Sequence, residues 1–253
     1  MVNRSNITAI PDAKTSAGKN EGLSDKNSST AKSIFEVKFA VPREETALLV
    51  ATLRHNTAKP ERFSHAKIKT LYFDDRRGTS FAESLDGEML KKKYRLRVYI
   101  DRTEGAYYSL EIKKRINTIT SKVRELIYEQ LPVGYRITCF HSLLRTFEEV
   151  TGRPLLSLLS ELPSKELLLD TVVYYDRIRF DDRHAPVRYN VDTSVRVFPG
   201  HSAFGETGAG LNLGHSIFEI KSDKPGVIPF FLKGLSLEPF SFSKFAWGKD
   251  FLL

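Results

Sequence analysis

The 253-residue chain carries 39 Lys and Arg against 31 Asp and Glu, a formal charge of +8. Its 41% hydrophobic and 28% charged content excludes a largely disordered chain, and no apolar run approaches the ~18 residues that a membrane span needs. The single cysteine, Cys139, excludes an intrachain disulfide and a cysteine-rich zinc site and points to a reducing, cytoplasmic compartment; the cationic excess calls for an anionic partner.

Residues 1–33 are rich in Ser, Asn, Lys and Asp without an apolar period, and read as a disordered polar tail before one domain, 34–253. From Ile34 the chain alternates apolar and charged residues, the period of a strand. Strands are predicted over Ile34–Ala40, Lys67–Asp74, Lys91–Ile100, Tyr107–Arg115, Lys122–Tyr128, Val172–Phe180, Val187–Val197 and Ser216–Lys221. Helices interrupt them at Pro42–His55, where Leu48, Leu49 and Leu53 share a face, and at Tyr135–Val150, which Gly152-Arg153-Pro154 stops. Shorter helices are predicted at Leu155–Leu162 and Val227–Leu235, and the glycine-rich stretch Pro199–Gly214 reads as a hairpin connection. Few helices among about eight strands make a mainly β (α+β), antiparallel fold with helices packed outside. Asp74-Asp75 before Gly78 reads as a turn, and the six histidines show no metal-binding spacing.

The polar faces of these strands carry thirteen cations: Lys38, Lys93, Arg95, Arg97, Lys113, Arg115, Lys122, Arg124, Arg177, Arg179, Arg188, Arg196 and Lys221. Against them stand only Glu36, Glu111, Asp192 and Glu219. A merely solvated sheet face mixes its charges, because like charges directly opposite repel. The excess fits a lumen in which Arg and Lys grip a chain of phosphates while the few carboxylates hold a divalent cation. Glu36, Glu111 and Glu219, each two residues before a lysine, are the candidate ligands of that cation. No nucleic-acid-binding module is recognisable, so nucleic acid is not expected as the partner.

The strand motifs resemble the VTC domain, the polyphosphate polymerase module of the vacuolar transporter chaperone family within the triphosphate tunnel metalloenzyme superfamily. The residues that carry the likeness are Phe35-Glu36-Val37-Lys38-Phe39, Leu71-Tyr72-Phe73-Asp74, Tyr94-Arg95-Leu96-Arg97-Val98-Tyr99 and Leu110-Glu111-Ile112-Lys113. They continue in Tyr175-Asp176-Arg177, Val187-Arg188-Tyr189-Asn190-Val191-Asp192-Thr193, Phe218-Glu219-Ile220-Lys221 and Phe242-Ser243-Lys244-Phe245. The resemblance implies an antiparallel β-barrel tunnel that transfers the γ-phosphoryl of ATP to inorganic polyphosphate with Mn²⁺ or Mg²⁺ as cofactor, with Lys38, Arg95, Arg97, Lys113, Lys122, Arg177, Arg188 and Lys244 binding phosphates and Glu219 binding metal. Lys93, Arg124 and Lys221 join the phosphate-binding set from their places on the cationic faces. Neither a regulatory SPX domain nor a membrane segment accompanies the module, so inositol-phosphate control and polymer translocation are not expected of this chain. Related triphosphatases carry Glu-x-Glu-x-Lys in the first strand; Ile34 stands at its first position here, which disfavours simple hydrolysis. A tunnel triphosphatase and a non-catalytic polyphosphate-binding module are the alternatives.

Overall fold

The structure is a computed structural model that describes residues 34–60, 64–86, 88–101, 105–116, 119–200, 210–235, 237, 239–240, 243–250 and 252. The predicted tail 1–33 and most of the glycine-rich connection, 201–209, lie outside the described residues.

The elements run β1 (Phe35–Val41), α1 (Arg43–Asn56), β2 (His65–Asp74), α2 (Thr79–Leu85), β3 (Leu90–Asp101), β4 (Gly105–Ile116) and β5 (Ile119–Ile127). Then follow α3 (Phe140–Thr151), α4 (Leu156–Leu159), β6 (Leu168–Asp181), β7 (Arg188–Pro199), β8 (Leu211–Asn212), β9 (Ser216–Ser222) and α5 (Lys244–Asp250). Eight strands form an antiparallel half-barrel in the order β1-β9-β7-β6-β2-β3-β4-β5, and the short β8 pairs with β7. The edge strands meet at one antiparallel bridge, Ile34 to Thr120. All eight predicted strands are present.

Alternation sorts the side chains as expected. The outward residues Phe39, Phe218, Ile220, Tyr189 and Val191 pack under Leu49 and Leu53 of α1. On the other flank Leu96, Leu110 and Ile112 pack under Phe140, Leu143, Leu144 and Phe147 of α3. The helices thus cover two apolar outer faces, and the charged inner faces of the strands converge.

Several local expectations change. The helix predicted from Tyr135 starts at Phe140, because Cys139 is its N-cap and accepts from the Ser142 amide. Val227–Leu235 forms only a 3-10 turn, Phe230–Leu232, since Pro229 pushes Ile228 before it out of the helical region and caps the turn itself. Two helices go beyond the prediction: α2, whose first turn donates Ser80 N and Phe81 N to Asp74, and α5. On β7 the non-glycine Ser194 has φ 53°, and the register with β6 slips beside it. The extra residue reverses the alternation, so Val195 and Val197 turn inward and Arg196 is exposed rather than facing the lumen.

Candidate functional site

Register turns the inward residues into rows. Across β6, β7, β9 and β1, one row reads Arg179–Asn190–Glu219–Lys38 and the next reads Asp181–Arg188–Lys221–Glu36. Across β2 to β5, one row reads Tyr72–Arg95–Glu111–Arg124, and its neighbour sets Lys93, Lys113 and Lys122 side by side. Lys113 Nζ reaches Glu36 Oε2 at 3.2 Å, which joins the two halves across the seam.

The rows line a cavity of about 390 Å³. Ten of its lining side chains are cationic and two, Glu36 and Glu219, are carboxylates. Of the residues predicted from sequence, Lys38, Lys93, Arg95, Arg97, Lys113, Arg177, Lys221 and Lys244 line it together. Lys122 and Arg124 lie on β5 to one side of it and are exposed. Arg188 stands at the rim, half exposed, with Nε donating to Asp181 Oδ1 at 2.7 Å.

The carboxylates divide into two kinds. Glu111 is buried behind the arginines: it accepts from Arg95 Nε at 2.8 Å and from Arg95 Nη2, and from Ser109 Oγ at 2.8 Å. Arg97 and Lys122 stand 3.8 and 3.6 Å from it. Burial alone would raise its pKa, but Arg95, Arg97 and Lys122 hold the carboxyl well below the usual range. This carboxylate anchors cations; its oxygens are engaged from several sides. Asp192, counted from sequence among the inward carboxylates but not among the candidate metal ligands, behaves likewise. Its two oxygens take Arg177 Nε and Nη2 at 2.6 and 2.7 Å, and Lys244 Nζ lies 2.6 Å away. Burial opposes its ionisation, yet Arg177 and Lys244 hold its pKa below the usual carboxylate value.

Glu36 and Glu219 face the cavity itself. Lys221 Nζ lies within 3.6 Å of both. Glu36 is ringed by Lys38 at 2.9 Å, Lys113 at 3.2 Å and Lys221 at 3.6 Å. Burial raises its pKa, but Lys221 and Lys38 outweigh this and keep it well below the usual value. Glu219 accepts from Asn190 Nδ2 at 3.1 Å and lies 3.4 Å from Lys221 and 3.7 Å from Arg177. No group of three or more His, Cys, Asp or Glu gathers among the described residues. Two adjacent carboxylates still fit Mg²⁺ or Mn²⁺, since such cations keep substrate oxygens in their shell rather than needing an all-protein cage.

Helix α5 completes the wall. Ser243, which precedes it, accepts from Lys93 Nζ at 2.7 Å, and its Phe245 stacks on Tyr72 at 5.0 Å. Lys244 Nζ sits 4.9 Å over the Tyr175 ring, which also takes the Arg177 guanidinium at 5.2 Å. Tyr72, Tyr175 and Asn190 thus belong to the site, although the sequence gives none of them a role of its own; each stands at an inward strand position, the one signal that could have found them.

The VTC domain family profile matches residues 23–253. No curated protein sequence matches the chain. Among solved structures, HpAC1 from Hippeastrum, described as an adenylyl cyclase candidate with a dominant triphosphatase activity, is 18% identical with a TM-score of 0.52, covering 86% of this chain and 95% of its own. An adenylate cyclase candidate from Bacillus halodurans is 11% identical with a TM-score of 0.44, covering 76% of this chain and 81% of its own.

Proposed function

The chain belongs to the VTC domain family, and on that premise we propose that it is an ATP-dependent polyphosphate polymerase. In the proposed reaction a terminal oxygen of polyphosphate attacks the γ-phosphorus of ATP. The bond from that phosphorus to the β–γ bridging oxygen breaks, and ADP leaves with the electron pair. Phosphoryl transfer asks the protein for positioning and charge neutralisation more than for covalent chemistry.

One observation supports this reading above the rest: ten cations and only two carboxylates line one cavity. Arg95, Arg97 and Arg177 present fixed, oriented donors because Glu111 and Asp192 hold them from behind. Lys38, Lys113 and Lys221 add compact charges around the Glu36 and Glu219 pair. Those two carboxylates would hold the divalent cation, which supplies charge neutralisation at the transferred phosphoryl group when bound.

Purified protein given ATP and Mn²⁺ should yield ADP together with a ladder of long phosphate polymers on a gel. Release of orthophosphate alone would make it a tunnel triphosphatase. Tight polyphosphate binding without turnover in any divalent metal would make it a binding module.

A further inference from the structure

Two polar side-chain atoms on neighbouring strands of the barrel are buried without a partner among the described residues: Asn190 Oδ1 and Arg179 Nε. The residues are neighbours in register, Arg179 opposite Asn190 and Asn190 opposite Glu219. Chemistry fixes the orientation of the amide. Its Nδ2 donates to Glu219 Oε2 at 3.1 Å, whereas the reversed amide would set two acceptors face to face. A carbonyl oxygen with open lone pairs is therefore left beside one of the two cavity carboxylates, on a residue only 1% exposed. Buried polar atoms without partners are rare, and an ion or water accounts for most of them.

We propose that Asn190 is a further ligand of the divalent cation, its Oδ1 joining Glu219 and Glu36 while its Nδ2 positions the Glu219 carboxylate. This rests on the phosphoryl-transfer reading above. An amide carbonyl is a neutral, hard oxygen donor of the kind that such cations accept.

The test is titration of Mn²⁺ into the full chain with tripolyphosphate present, free Mn²⁺ being read by electron paramagnetic resonance. Asn190→Leu, which keeps the shape but removes the amide, should weaken Mn²⁺ binding about ten- to a hundred-fold. Tripolyphosphate binding measured without Mn²⁺ should persist, and Asn190→Asp should bind Mn²⁺ as tightly as the parent or more so. Thermal melts check folding, and Asn190→Ala takes the place of the leucine variant if that one fails to fold. Parent-like Mn²⁺ affinity in the amide-free variant would overturn the proposal and leave a water between Asn190 and Arg179 as the better account. Parent protein that binds no Mn²⁺ would overturn it as well. If the parent protein makes polymer while Asn190→Leu keeps its Mn²⁺ affinity, this inference fails and the polymerase reading stands. If Mn²⁺ affinity depends on Asn190 but no polymer forms, the inference stands and the polymerase reading fails.

Discussion

The row Lys93–Lys113–Lys122 sets three lysines on adjacent strands, Lys93 and Lys113 in the cavity wall and Lys122 exposed beside it. Burial, then repulsion from Lys38 and Lys113, pushes Lys93 down to about 7. Burial lowers Lys113 to about 8 against the pull of Glu36, and lowers Lys122 to about 7 against that of Glu111. The substrate-free tunnel at pH 8 is therefore short of protons, and a bound phosphate chain restores the charge. A group with a pKa of about 7 lacks about 0.9 of a proton at pH 8 and about 0.1 at pH 6. Lys122, 36% exposed at its side chain, contributes less because water screens it. Binding of tripolyphosphate at pH 8 should then take up about one to two protons, and less than about half a proton at pH 6.

The sign follows from linkage: the bound state holds more protons, so raising the pH weakens binding, by roughly ten- to a hundred-fold per pH unit around pH 8. Calorimetry in buffers of different ionisation enthalpy reads the uptake directly. Lys93→Arg stays charged throughout this range, so uptake at pH 8 should fall by close to about one proton and the pH slope should flatten. Equal uptake at pH 6 and pH 8, or uptake indifferent to Lys93→Arg, would refute the argument.

Three other substitutions test separate parts of the wall. Asp192→Asn strands Arg177 and Lys244, which should cost about 3–5 kcal/mol and lower the melting temperature by roughly 6–20 °C; added tripolyphosphate should restore part of the loss by supplying the missing anion, as a thermal melt would show. Glu219→Gln should abolish turnover while polyphosphate binding is kept or slightly tightened, because a negative charge has left a phosphate site; full activity in this variant would sink its assignment as a metal ligand. A Cβ on Gly248 would lie 2.5 Å from Val197 Cγ1, so Gly248→Ala should push α5 off β7, costing about 1–3 kcal/mol and lowering activity through the displaced Lys244; parent-like melting and rate would show that α5 has room to give.

The barrel was legible because each strand has two unlike sides: Phe39, Leu96, Leu110 and Phe218 pack under helices while Lys38, Arg95, Glu111 and Glu219 face inward, and period two records both. What stayed hidden depends on position in space. Arg196 and Val197 exchange faces through one bulge at Ser194, which no local pattern announces. Glu36, Glu111 and Glu219 look alike as Glu-x-Lys, but Glu111 spends its oxygens on Arg95 and Ser109, partners supplied by register. Helix α5 is too short for its apolar residues to mark a stripe, and Gly248 within it weakens the helical signal.

Ile34 shows how the remaining pieces fit. Where a further inward carboxylate would stand in a triphosphatase-like first strand, this chain places an apolar residue 46% exposed, and uses it to bridge the seam at Thr120. The cavity is left with two carboxylates, and Glu36 is already held by three lysines. A divalent cation entering alone would have to compete with Lys38, Lys113 and Lys221 for those oxygens. A cation entering with a phosphate chain meets a different balance, since the lysines turn to the phosphates and release the carboxylates. Metal and substrate should thus bind with positive coupling, each raising the other's affinity by the same factor. On the proposed reading, a site so arranged would hold its cation firmly only beside a bound phosphate chain.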